Sequence, residues 1–303
     1  MKRVLVTGGR GFIGRHTLAP LIARGYEVHA TASGDDISDD LAVLPVTWHV
    51  CDLLKKDQTD ALFRSVAPSY LLHAAWITDH GDYWTSNKNL AWVAATLHMV
   101  LAFAQAGGRR YVGAGTCAEY EWSTDVYNEL SSKMAPATLY GRAKLAAHEM
   151  TSAASDALNI SVATGRIFFA YGPYENPNRI VPYACQMLAK GRPAEFSSGA
   201  LERDFLHVID AGKGFAALLD GELTGPVNIA SGVATNLAGL VTQLGRIAGH
   251  EDLIVLGARP DRPDEPPKLV ANISRIQSTG WLPQTDLNQG LEDTFDWWRA
   301  RIN

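Results

Sequence analysis

The sequence predicts an α/β protein: a Rossmann-like, doubly wound parallel sheet with a smaller C-terminal α/β substrate-binding domain. Three observations carry this. A short apolar run, Val4-Leu5-Val6, leads directly into Thr7-Gly8-Gly9-Arg10-Gly11-Phe12-Ile13-Gly14. Further strand-like runs then alternate with helical stretches, the pattern of a parallel sheet covered on both faces. At 303 residues the chain exceeds what one core ordinarily serves, so it accommodates a large domain and a smaller one.

The elements follow in order. After the glycine-rich turn, Phe12, Ile13, His16, Leu18, Leu21 and Ile22 recur at helical spacing, and Gly25 ends the run. Residues 26–31 and 46–50 read as the second and third strands, the latter followed by Cys51-Asp52-Leu53. Residues 70–75 and 110–114 read as two more, with a long helix over 89–105 between them. Near residue 165 the texture changes: Gly172 to Asn178 is rich in turn formers, and residues 258–268 hold four prolines among Arg and Asp, both read as cleft-lining loops. The expected division is an NAD(P)-binding domain over 1–165, rejoined by about 205–235, and a substrate-binding domain over 166–204 and 236–303.

Composition narrows the class. A hydrophobic fraction of 47% supports a sizeable core, and a net charge of −5 offers no basic footprint for nucleic acid. Cys51, Cys117 and Cys185 are odd in number and widely spaced, which fits neither a disulfide framework nor a metal site and suggests a reducing, cytoplasmic setting. The first residues enter a strand without an apolar leader and no later stretch is long enough to span a bilayer, so no membrane partner is expected.

Gly8, Gly11 and Gly14 follow a strand and open a helix, where glycine permits a sharp turn and close approach while the helix N-terminus offers free N–H groups to a pyrophosphate. The spacing is Gly-x-x-Gly-x-x-Gly. After the second strand, where an NAD site places an acid for the adenosine ribose, stands Ala32-Ser33-Gly34; Ser33 and Arg10 suit a 2′-phosphate, so NADP(H) is favoured over NAD(H). Tyr140 and Lys144 are four apart, hence on one helix face, where an ammonium, together with a positive nicotinamide, lowers the phenol pKa for proton exchange with a carbinol or carbonyl oxygen. Trp76 to Trp84 is dense in aromatic and polar residues; it reads either as a sugar-pocket wall, with His80 or Tyr83 touching substrate, or as a packed surface loop. Trp297 and Trp298 read as packing of the last helix, and Cys117 as a small filler beside the site on its substrate-binding side.

With these motifs the chain resembles, over nearly its full length, the extended branch of the short-chain dehydrogenase/reductase superfamily: nucleotide-sugar epimerases, dehydratases and reductases. The resemblance implies that Gly8, Gly11, Phe12, Ile13 and Gly14 hold the cofactor, that Asp52 and Leu53 lie at its adenine, and that His73, Ala74 and Ala75 run beside it. Asn89 matches the family asparagine on the cofactor side, with Asn87 close by, and Thr116, Tyr140 and Lys144 match the catalytic set, Tyr140 and Lys144 also binding the cofactor and Lys144 anchoring the nicotinamide ribose. Arg203 in Arg203-Asp204-Phe205 is implied to face substrate phosphates and Arg262 to lie in a nucleotide-binding loop, with Arg179 also on the substrate side; Gly280-Trp281-Leu282-Pro283 matches a C-terminal motif. A homodimer through the two long helices is implied as well.

Departures from the family pattern bear on the reaction. Dehydratases place acidic residues after the active-site threonine, and here those positions are Cys117 and Ala118; Glu119, on an extended backbone, is expected to point away. Phe169 replaces an asparagine that often contacts substrate. The expectation is therefore an NADP(H)-dependent reductase of a nucleotide-diphospho-4-keto-6-deoxyhexose, acting at C4, with a nucleotide-sugar 4-epimerase as the alternative. A redox-inactive NAD(P)-binding regulator is the remote one, disfavoured because the Tyr/Lys pair is retained.

Overall fold

A computed structural model describes residues 2–78, 81–261 and 265–302. Five strands, β1 (Lys2–Thr7), β2 (Tyr26–Ala32), β3 (Val46–Val50), β4 (Tyr70–His73) and β5 (Arg110–Thr116), join Ser161–Ile167 and Gly225–Ile229 in one seven-stranded sheet. All neighbouring pairs are parallel, in the order Gly225–Ile229, Ser161–Ile167, β5, β4, β1, β2, β3. Helices α1 (Phe12–Ala23), α2 (Asp39–Ala42), α3 (Lys56–Val66), α4 (Lys88–Gln105) and α5 (Leu139–Ala153) fall between or beside these strands. Strand order reverses between β1 and β4, which opens a crevice at their carboxyl ends, the place where such sheets bind ligands.

The strands are apolar on both faces because both are covered. Val4, Val6, Val28 and Ala30 pack with Leu18 and Leu21 of α1 and with Phe215 and Leu218 of the helix Val208–Asp220. The alternate residues, Leu5 and Leu71, turn to the opposite face and meet Phe63, Met99 and Phe103 of α3 and α4.

The C-terminal part has its own core, in which Val181, Leu188, Leu240, Leu244, Leu291 and Phe295 come from the helices Ile180–Ala189, Leu237–Ala248 and Leu287–Arg299. A small sheet orders the strands Thr235–Asn236, Glu202–Arg203, Lys268–Ala271 and Val126–Tyr127. Cys117, Tyr120, Tyr127, Phe168 and Leu269 form a cluster that fastens the end of β5 to this sheet. The proline-rich stretch is a loop at its start and a strand from Lys268; Arg262 lies outside the described residues.

Candidate active site

The glycine turn is built for close approach. Gly8 adopts φ +68°, and a Cβ on Gly14 would lie 2.1 Å from the Gly8 carbonyl oxygen, so a side chain at Gly14 would force the first turn of α1 away from the loop. Gly11 is the helix N-cap and supplies no side-chain cap, and the first turn of α1 carries no acidic residue. Free N–H groups and the positive end of the helix dipole therefore face the crevice, a cradle that fits a dinucleotide's pyrophosphate. Phe12 and Ile13 open that helix, half-buried beside the turn.

The end of β4 backs this cradle. Thr7 and His73 are register partners, and the imidazole Nδ1 lies 2.7 Å from Thr7 Oγ1 while Nε2 lies 2.9 Å from Thr96 Oγ1. Burial pulls the His73 pKa down to about 3 and holds the ring neutral. His73 is thus a tie between β1, β4 and α4, and the backbone of Ala74 and Ala75 is what abuts Gly8. At the far end of the crevice the Arg10 guanidinium donates to the backbone carbonyls of Gly34, at 3.2 Å, and of Asp36. Ser33 is exposed, Leu53 is buried, and the exposed Asp52 carboxylate accepts from Leu54 N–H at 3.1 Å. Arg10 and Ser33 thus come together past β2, and Asp52 follows β3.

Thr116, Tyr140 and Lys144 converge at the end of β5. Thr138 caps α5 by accepting from Gly141 N–H, and α5 runs so close to the turn after β5 that a Cβ on Gly141 would sit 2.2 Å from the Ala118 carbonyl oxygen. That approach brings the Tyr140 phenol within interaction range of the Thr116 side chain. Lys144 is buried, donates from Nζ to the Ala114 carbonyl at 2.9 Å, and has its pKa pulled down to about 7 by burial. Tyr83 and Trp84 stand edge-on to Tyr140, with ring centroids 4.9 and 5.5 Å away. Burial raises the phenol pKa, while the Lys144 ammonium is directed to Ala114 and the Trp76 ring; the lowering expected from Lys144 belongs to the site with a positive nicotinamide beside it.

Glu119 corrects a second expectation. Cys117–Glu119 is a 3₁₀ turn, not extended backbone, with Thr116 and Glu119 forming a capping box. The Glu119 carboxylate folds back to accept from Thr116 N–H at 2.9 Å and from Arg166 Nε at 2.8 Å, in an ion pair almost wholly out of water. It is unavailable for proton transfer because Arg166 holds it. Burial pushes the Cys117 thiol up to about 12, so it keeps its proton at neutral pH.

The substrate-side arginines separate. Arg179 is exposed at the N-cap of the helix Ile180–Ala189 and donates to the Tyr83 hydroxyl at 3.3 Å. Arg203 is buried, donates to the carbonyls of Glu202 and Pro266 and pairs with Glu265 at 3.0 Å, with its guanidinium 5.6 Å from the Phe169 ring centre. These contacts tie Arg203 to the 265–267 segment. His80 lies outside the described residues. Asn89 is fully buried, its side chain engaged by Trp76 Nε1 and by the carbonyls of Tyr83 and Ser86. The contact of Trp76 with Lys144 was not anticipated; the only signal in the sequence was the placement of an indole directly after His73-Ala74-Ala75. Trp297 is half-buried and packs on Tyr174 at 4.6 Å, under Arg301, so it is less interior than expected.

Residues 4–230 match the profile of the NAD dependent epimerase/dehydratase family. The chain belongs to that family. Among its relatives, a UDP-glucose 4-epimerase of Rhizobium meliloti (strain 1021) is 26% identical over 331 residues, covering 98% of this chain and 97% of that protein. The structure of MoeE5 in complex with UDP-glucose and NAD is 26% identical with a TM-score of 0.86, covering 99% and 100% of the two chains. The UDP-glucose 4-epimerase of Thermus thermophilus, a complex with NAD, superposes with a TM-score of 0.85 at 23% identity, covering 99% and 100%, a likeness of fold.

Proposed function

We propose that this family member oxidises and re-reduces C4 of a nucleotide-diphosphate sugar, the action of a 4-epimerase. The observation that carries the reading is the convergence of Thr116, Tyr140 and Lys144 on the crevice beside the glycine cradle, with no free acid or base at Cys117, Ala118 or Glu119 to support dehydration. The names of the relatives, UDP-glucose 4-epimerases among them, support it further.

A bound nicotinamide cofactor supplies reversible hydride acceptance. Tyr140 exchanges a proton with the C4 oxygen, Thr116 hydrogen-bonds that oxygen, and Lys144 supplies the neighbouring positive charge. Oxidation at C4 requires the Tyr140 phenolate, which takes the C4 hydroxyl proton and returns it on re-reduction; burial raises the phenol pKa, so the neighbouring Lys144 charge has to offset that burial for the first half-reaction. Arg179, the exposed guanidinium beside Tyr83, is the cation we assign to the diphosphate.

One observation favours a second reading, a 4-ketoreductase drawing on NADP(H): no carboxylate caps β2, and Arg10 lies across residues 34–36. The NAD complexes of MoeE5 and the Thermus enzyme weigh the other way. The experiment mixes purified protein with UDP-, GDP-, dTDP- and CDP-linked sugars, with and without added NADPH. Interconversion of C4 epimers without net nicotinamide consumption is the expected result; stoichiometric loss of NADPH absorbance on 4-keto-6-deoxysugars establishes the reductase instead. Arg10→Ala separates the cofactors: if Arg10 reads a 2′-phosphate, NADPH affinity falls about tenfold or more while NADH affinity holds.

The reading includes a division of labour, with residues 1–165 and about 205–235 binding the cofactor and 166–204 and 236–303 closing over the sugar nucleotide. It also includes a homodimer through α4 and α5, whose outer faces carry the exposed Leu90, Leu101 and Met150.

A further inference from the structure

We propose that Trp76 is a positioning residue for Lys144: its indole face carries the lysine ammonium, and Asn89 fixes the indole in place. The inference rests on the reading of Lys144 as the charged partner of Tyr140. Lys144 Nζ lies 4.0 Å from the centre of the Trp76 ring while giving one hydrogen bond to the Ala114 carbonyl. The indole is anchored twice, by donation from Nε1 to Asn89 Oδ1 at 2.9 Å and by stacking on Trp92 with centroids 6.0 Å apart and planes 28° from parallel. The Asn89 amide has only one orientation that works. Its nitrogen donates to the carbonyls of Tyr83 at 2.7 Å and Ser86 at 2.9 Å, which leaves its oxygen for the indole N–H. One asparagine therefore holds both ends of the aromatic segment, with Trp76 on Lys144 and Tyr83 and Trp84 on Tyr140.

The surroundings explain why a ring face is needed. Glu119, the carboxylate that acts on Lys144, is committed to Arg166. His73 and His148 are both held toward the neutral form by burial, His148 against Thr164 Oγ1 at 2.6 Å. Tyr140 and Cys117 keep their protons. Among the described residues, an ammonium there has lost water and gained no free anion, and the negative face of the indole is what offsets the loss.

The test is a pH titration of cofactor-free protein labelled with ε-¹³C lysine, with the Lys144 signal assigned by its loss in Lys144→Met. In Trp76→Leu the Lys144 midpoint should fall by about one pH unit from its starting value near 7, and in Trp76→Phe, which offers a weaker ring face, by a smaller amount. The alkaline limb of kcat/KM should move by the same amount with KM for the sugar nucleotide unchanged. A midpoint that stays or rises in both variants overturns the proposal. If Trp76→Leu does not fold, Trp76→Phe decides alone, and an unmoved midpoint there overturns it equally. A midpoint that falls in a protein with no nicotinamide redox activity upholds the placement of Lys144 and sinks the proposed function instead.

Discussion

At the scale of single residues, the division of roles between Tyr140 and Lys144 is set by what each is buried against. Tyr140 is buried against Tyr83 and Trp84, and that burial, with Tyr83 next, holds its pKa up; Lys144 meets a carbonyl and a ring face, so its ammonium is only partly compensated. Tyr140→Phe removes the proton while preserving the packing. Turnover should drop about 10²- to 10⁴-fold with nicotinamide cofactor affinity unchanged, measured by steady-state kinetics alongside equilibrium binding. A variant within about twofold of wild type would refute the role of acid and base. Both residues were legible in the sequence because a four-residue spacing on a helix is local. The setting of Glu119 was not, since its direction depends on Arg166, 47 positions downstream, and on a 3₁₀ turn that Thr116 caps.

At the scale of elements, His73 joins β1, β4 and α4 through two threonine hydroxyls. Its folded-state pKa is depressed from 6.5 to about 3, so at pH below 6.5 the unfolded chain binds a proton that the native state refuses. Its neutral burial therefore costs nothing above pH 6.5 and costs stability progressively as pH falls toward 3, by about 1.4 kcal/mol per pH unit. His73→Asn should flatten the decline of urea stability between pH 6.5 and about 4.5 relative to wild type; an identical slope would show that other groups govern acid sensitivity. The first five strands of the main sheet were readable from apolar runs and glycine stops. The long-range pairing of Gly225–Ile229 with Ser161–Ile167 was not legible beyond an expected return of the chain over about 205–235, because nothing local in that run specifies its neighbour.

At the scale of the whole molecule, the crevice is shared by the parallel sheet and the C-terminal segments, and Arg179 and Tyr83 meet across it. The proposed dimer places α4 and α5 at the back of the cofactor side. Leu90, Leu101 and Met150 are 61%, 47% and 54% exposed there, and covering them is a gain that a polar substitution would cancel. Leu101→Asp should convert a dimer to a monomer by sedimentation velocity; a wild-type chain already monomeric at micromolar concentration removes the interface.

The close approach of α5 to the turn after β5 has an evolutionary consequence. Ala118 is buried, and its carbonyl faces Gly141 at a distance that admits no Cβ. A glutamate introduced at 118 would need the volume of a longer side chain in a filled site and would bring a second carboxylate beside the Glu119–Arg166 pair. Acquiring dehydratase chemistry would therefore require coordinated change in the turn, in α5 and in the ion pair beneath them.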